Sequence, residues 1–211
     1  MSNNKCQMKV PIEVSARHVH ISREDLDILF GKGYKLTSIK DLSQKGQFAA
    51  KEKVDIKTAQ GELKELRILG PEREQTQVEI TKTESHELKI DPPVAECTSC
   101  VGEGGAEVII IGPKGEVKKH CAIIAHRHIH CSPDEAEKNN LKEGQLLSVK
   151  TNGSRPITFH QVLVRIDPTF VFRMHLDTDE ANAAGIEGSE YGEIGKEEIG
   201  NWLGNWKSEK S

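Results

Sequence analysis

The stretch Ala16-Arg17-His18-Val19-His20-Ile21-Ser22 returns later in the chain as His126-Arg127-His128-Ile129-His130-Cys131-Ser132. In each copy an arginine precedes two histidines at i and i+2, and a serine with acidic residues close behind it ends the string. An extended strand turns alternate side chains to the same face, so His18 and His20 share a face, as do His128 and His130. Two imidazoles side by side on a strand make half of a metal site.

The remainder of each repeat supplies the other half. Setting the second copy under the first aligns Gln77-Val78-Glu79-Ile80-Thr81 with Arg173-Met174-His175-Leu176-Asp177, and the same register puts Ile90 against Ile186. Lys57-Thr58-Ala59-Gln60-Gly61 likewise resembles Lys150-Thr151-Asn152-Gly153. The chain therefore reads as a duplication in which a His-x-His strand comes early and a third ligand-type side chain comes late. That third residue is Glu79 in one copy and His175 in the other. Carboxylate and imidazole both bind Zn²⁺, and three protein ligands with an open fourth position describe a catalytic rather than a structural zinc. The expectation is two open zinc sites per chain: His18, His20 and Glu79 in one, His128, His130 and His175 in the other. His86, His120, His126 and His160 lack such company and read as surface or locally hydrogen-bonded residues, although His126 also alternates with His128.

Composition narrows the function classes. With 36% hydrophobic and 4% aromatic residues, each core should be modest and built from Ile, Val and Leu. A net charge of -4 with mixed signs argues against a general nucleic-acid or membrane-surface binder. No apolar run is long enough to span a bilayer and no apolar signal segment opens the chain, so a cytoplasmic protein is expected. Five cysteines fit reduced thiols better than a disulfide framework. Cys97 and Cys100 form a lone Cys-x-x-Cys, which is weak evidence for a metal, and Cys131 should face away from the histidines of its strand.

Short β-type runs dominate: 11–17, 53–58, 63–69, 77–81, 107–111, 121–128, 145–151, 162–166 and 170–176, with Gly- and Pro-bearing turns between them. Many short strands at close spacing predict a mainly β protein of two tandem β-barrels from the duplication, with a few short helices. The expected division is 10–90 for the first barrel, 91–106 for a linker opened by Asp91-Pro92-Pro93, 107–187 for the second barrel and 188–211 for a tail carrying Trp202 and Trp206. Ser22 should cap a helix from Arg23 to Phe30, with Ile21 and Leu26 as a hydrophobic staple and Gly31 at its end. Ser132, Pro133 and Glu135 occupy the N-cap, first and third positions of a second, shorter helix.

Taken in order, Val14-Ser15-Ala16-Arg17-His18-Val19-His20, Asp41-Leu42-Ser43 with Gly46-Gln47-Phe48-Ala49-Ala50, Gly70-Pro71-Glu72-Arg73 through Glu79, Arg127-His128-Ile129-His130, and Met174-His175-Leu176-Asp177-Thr178-Asp179-Glu180-Ala181-Asn182 closely resemble the PduL-type phosphate acyltransferases, the phosphate propanoyltransferase family. The resemblance runs from about Val10 to Gly185. It implies two β-barrel domains and a dinuclear zinc site on the six ligands reached from the repeat. The implied reaction is reversible: acyl-CoA plus phosphate gives acyl phosphate plus CoA, with short acyl groups such as propanoyl or acetyl.

The resemblance also assigns roles outside the triads. Arg73 matches a phosphate-binding arginine, and a guanidinium suits phosphate because it donates two parallel hydrogen bonds. Ser15, Arg67 and Asn182 match CoA contacts. A zinc thioester hydrolase, releasing free acid through a metal-bound hydroxide, is the alternative that the same ligands allow. Family members of bacterial microcompartments often carry an N-terminal encapsulation helix; Met1 to Lys9 is too short for one, which favours a cytosolic enzyme. The sequence is compatible with a homo-oligomer.

Overall fold

The computed structural model describes residues 8–95, 104–188 and 190–195; the Cys97/Cys100 pair and the Trp202/Trp206 tail lie outside the described residues. In chain order the elements are β1 (Lys9–Ser15), β2 (His18–Ser22), α1 (Arg23–Phe30), β3 (Ser38–Asp41), β4 (Phe48–Lys57), β5 (Glu62–Arg73), β6 (Gln77–Glu79), α2 (Lys82–Leu88) and β7 (Val94–Ala95). They continue as β8 (Ala106–Ile111), β9 (Glu116–Ala125), β10 (His128–Cys131), α3 (Pro133–Asn139), β11 (Leu146–Thr151), β12 (Thr158–Ile166), β13 (Arg173–Asp177), α4 (Thr178–Ala184) and β14 (Tyr191–Ile194). No helix among the described residues is long and apolar enough to cross a membrane.

The chain forms two compact units, Ala16–His126 and Met1–Ser15 with Arg127–Ser211. In the unit Ala16–His126, strands pair in the order β4-β5-β2-β6-β9-β8, and β8 returns to β4 to close a six-stranded barrel. Strands β3 and β7 attach to β4 and β9. The other unit closes in the order β1-β13-β10-β12-β11-β14. Strand for strand the two rings correspond, with β4, β5, β2, β6, β9 and β8 matching β11, β12, β10, β13, β1 and β14.

This pairing corrects the expected boundaries. The strand leading into each histidine strand belongs to the other ring: β1 lies parallel to β13, and β9 lies parallel to β6. Residues 10–15 therefore leave the first barrel and 106–125 join it. The expected tail contributes β14, which closes the second barrel between β1 and β11. Which ring a strand joins depends on long-range pairing that alternation along one strand does not encode.

Each barrel is filled by one face of its strands. Val19, Ile21, Ile68, Val78 and Ile110 meet in the first core, and Val10, Ile129, Val149, Val164, Met174 and Leu176 in the second. Burying each of the larger side chains is worth about 1.5–3 kcal/mol. Because Val19 and Ile129 point inward, the histidines on either side of them point to the outer face of the barrel wall.

Both expected helices form as read. Ser22 caps α1 by accepting from the Asp25 amide, with Gly31 at its C-cap, and Ser132 and Glu135 form a capping box on α3. Helices α2 and α4 were not anticipated, although Thr81 with Glu84 is a capping box and Asp177 accepts from the Glu180 amide. The duplication extends to their ends: Lys89 and Gly185 both take left-handed C-cap geometry, and Ile90 and Ile186 donate back to Ser85 and Ala181. The aligned turn glycines explain themselves here. A Cβ on Gly61 would lie 2.1 Å from the Glu87 carbonyl oxygen, and one on Gly153 2.4 Å from that of Ala184. Each turn packs against the end of its repeat's second helix, and only glycine fits.

Candidate metal centres

Strand pairing gathers each triad. In the first barrel β2 and β6 run antiparallel with His18 opposite Glu79 and His20 opposite Gln77; in the second, β10 and β13 put His128 opposite His175 and His130 opposite Arg173. Within each ladder two ligands face each other and the third sits two residues along the same strand. All three ligand atoms of each triad lie within 4.8 Å of one another. The structure thus brings together all six residues anticipated from the repeat, as two groups of three. Among the described residues these are the two groupings of His, Cys, Asp and Glu able to hold a metal. His86, His120, His126 and His160 belong to neither. His120 pairs with Glu107, and His160 bonds Ser148.

The donor geometry fits zinc. His18 Nε2 lies 3.1 Å from His20 Nε2 and 3.5 Å from Glu79 Oε2, and His20 Nε2 lies 3.7 Å from Glu79 Oε1. Bonds of zinc length in a tetrahedron separate two ligand atoms by roughly 3.3 Å, close to these spacings. The rings are also held for ligation. His18 Nδ1 donates to the Ala16 carbonyl at 2.8 Å, and the Leu69 carbonyl accepts from His20. Such bonds on the far ring nitrogen fix the tautomer that leaves the near nitrogen's lone pair for a metal. In the second triad the ring centroids of His128, His130 and His175 lie 4.5 to 5.0 Å apart.

The two centres differ in charge and in surroundings. His18, His20 and Glu79 are all buried. Burial works against the charged form of His18, but the Glu79 carboxylate, its hydrogen bond and the Ala16 carbonyl outweigh it and lift the pKa above the ordinary imidazole value. Burial, the neighbouring His18 and the Arg73 guanidinium drive His20 well below that value. His20 is thereby kept as a neutral imidazole, the form that ligates. Arg73, at the end of β5 and opposite Ser22, acts on both histidines of the first triad.

In the second triad, Arg165 and Arg173 are the register partners of His130 on β12 and β13, and an aromatic ring lies against it. Phe170 stacks on His130 with centroids 3.7 Å apart and planes 18° from parallel, and the Arg165 guanidinium sits 5.8 Å from the Phe170 centroid. Phe170 precedes β13 and was expected inside a strand, so nothing in the sequence marked it as a neighbour of the site. Cys131 is buried in the barrel core with its thiol pushed up to about 11 by burial, as its place on the opposite face of β10 requires.

The residues matched to CoA contacts fall in both units. Arg67 lies opposite His18 in the β2–β5 pairing and donates from Nη1 to the Ala50 carbonyl at 2.6 Å. Ser15 ends β1 beside Asp177, the N-cap of α4, and Asn182 is exposed on that helix.

The sequence is similar to that of proteins of one family. The family model for PTAC, phosphate propanoyltransferase, matches residues 11–187. A phosphate propanoyltransferase of Enterococcus faecalis is 45% identical over 175 residues, covering 83% of this chain and 82% of that protein. One from Thermotoga maritima is 47% identical over 175 residues, 82% of each chain. A third, from Priestia megaterium, is 47% identical over 184 residues, 87% of this chain and 84% of its own.

Proposed function

The chain belongs to the phosphate propanoyltransferase family, and on that premise we propose that it transfers a short acyl group, propanoyl or acetyl, between CoA and inorganic phosphate with the help of two zinc ions. As a member of that family it is an acyltransferase. His18, His20 and Glu79 would hold one ion, and His128, His130 and His175 the other. The observation that carries this reading is the pair of equivalent triads, each assembled across a β ladder, with a guanidinium acting on one of them.

In the reaction a phosphate oxygen attacks the thioester carbonyl carbon. A carbon–oxygen bond forms, the carbon–sulfur bond breaks, and CoA leaves as the thiolate. When bound, zinc would supply Lewis-acid stabilisation of charge building on the carbonyl oxygen and on the departing sulfur. The protein's part is to hold two anionic partners beside the triads. Arg73 is the phosphate holder: a planar guanidinium offers two parallel donors to two phosphate oxygens and keeps its charge at any working pH. Arg67, which donates to the Ala50 carbonyl through Nη1, would present its remaining donors to a CoA phosphate or amide. In the second unit Ser15 and Asn182, joined through Asp177 and α4, are the proposed CoA contacts.

The test is thiol release from propanoyl-CoA, followed with and without phosphate, before chelation, after it and after zinc is restored. The proposal expects release that needs both phosphate and metal, with one acyl phosphate formed per thiol. Equal release without phosphate would make the protein a thioester hydrolase, and full activity after complete metal removal would remove zinc from the mechanism.

A further inference from the structure

The arginine that opens each histidine string has a partner placed identically in both repeats. Arg17 precedes His18, and its Nη1 lies 3.0 Å from Glu84 Oε1. Arg127 precedes His128, and its Nε lies 3.0 Å from Glu180 Oε1. Glu84 and Glu180 each stand five residues beyond the third ligand of their triad and at the third position of the helix that follows it. We propose that Arg17 and Arg127 are positioning residues, each tying the strand of a histidine pair to the helix beyond the third ligand and so fixing the spacing of that barrel's metal site.

The location of the ion pairs gives them this role. His18–Glu79 and His128–His175 are the last registered pairs of their ladders. Ladder ends fray most easily, and fraying there would move the two facing ligands apart. Strand β6 is only three residues long, so it offers little pairing of its own to resist. The arginine acts one residue outside the ligand pair. In the first barrel its partner reaches back as well: Glu84 Oε2 accepts from the Thr81 amide at 2.9 Å, and Thr81 is two residues past Glu79. In the second barrel the Glu180 amide donates at 2.8 Å to Asp177, two residues past His175. Each arginine is thus linked through a short helix cap to the far side of its ligand pair. The glutamates are the better buried partners, with side chains 12% and 21% exposed, so the arginine comes to a fixed anchor.

This inference rests on the reading of the triads as zinc sites, and its test separates the two. Zinc is loaded into His128→Ala and His18→Ala, each expected to keep one ion per chain. Release to a chromophoric chelator at pH 8 is then timed with and without Arg17→Gln. Arg17→Gln should speed release about tenfold or more in the His128→Ala background, in line with the 10–100-fold cost typical of groups that orient ligands. It should leave release in the His18→Ala background unchanged, and Arg127→Gln should show the reverse pattern. Arg17→Lys, which keeps the charge, should recover most of the loss. Glu84→Gln and Glu180→Gln break the same pairs from the helix side while keeping a cap-competent side chain, and they should reproduce the effect if an arginine variant folds poorly. Unchanged release in the matching background, or equal acceleration in both, overturns the positioning role. Two zinc ions retained in His18→Ala or His128→Ala would instead overturn the metal reading itself.

Discussion

Glu79 stands opposite His18 at the end of the β2–β6 ladder, with its Oε2 3.5 Å from the imidazole Nε2. The equivalent place opposite His128 is taken by His175. Of its three triad side chains, a metal in the first barrel would therefore meet one that is negatively charged and a metal in the second three imidazoles. Glu79→Gln removes that charge while keeping the shape. It should weaken zinc binding in the first barrel by about 100-fold, at the upper end of the range for groups that merely orient ligands, and leave the second barrel unaffected. Competition with a chelator of known affinity measures this; equal affinity in the variant would remove Glu79 from the ligand set.

Arg73→Ala should raise the apparent KM for phosphate by about 10-fold to 100-fold, the loss expected for a charge-assisted contact worth about 1.5–3 kcal/mol. The KM for acyl-CoA should stay nearly constant. Arg73→Lys should recover only part, because an ammonium cannot donate in the planar fork. Steady-state kinetics with each substrate varied in turn decides; an unchanged phosphate KM contradicts the assignment.

Asp25 is buried at the third position of α1, where it accepts from the Thr76 hydroxyl and lies 2.5 Å from Lys119 Nζ on β9. It joins the helix after the first histidine strand to a strand from the other half of the sequence. Asp25→Ala leaves the Thr76 hydroxyl and the Lys119 ammonium without this acceptor, and should lower the unfolding free energy by about 1–3 kcal/mol. Urea unfolding of the metal-free protein checks it; a change below about 0.5 kcal/mol would assign the network no structural weight.

Burial raises the Glu180 carboxyl from 4.5 to about 7, against the opposing pull of Arg127. The native state therefore holds this proton more tightly than the unfolded chain does. The stability that follows is fully present below pH 4.5 and is lost as pH rises through about 7. Relative to Glu180→Gln, which has no such proton, the wild-type protein should lose stability between pH 5 and pH 8. Urea midpoints of both metal-free proteins across that range provide the comparison, and parallel curves would contradict the shift.

Much of the site was legible because it is written in local patterns. His-x-His on a strand puts two candidate ligands on one face by alternation alone, and aligning the repeats pointed to Glu79 and His175 as the third members of the groups. Strand pairing then delivered what alignment implied, since His18 and His128 face those residues directly. Helices α1 and α3 were legible from Ser22 and Ser132 as caps. Helices α2 and α4 carry equally good caps at Thr81 and Asp177, but seven-residue helices leave too short an apolar rhythm to stand out between strands. What the sequence did not disclose is long-range. The exchange of β1 and β9 between rings, the stacking of Phe170 on His130, and the reach of Arg17 and Arg127 to Glu84 and Glu180 depend on which segments meet after folding.

Elemental analysis of the purified protein and two variants tests the central claim most directly. The account predicts two zinc ions per chain in the wild type, one in His18→Ala and one in His128→Ala, with phosphate-dependent acyl transfer falling in both variants. Two zinc ions in either variant, or none in a fully active wild-type enzyme, would contradict it.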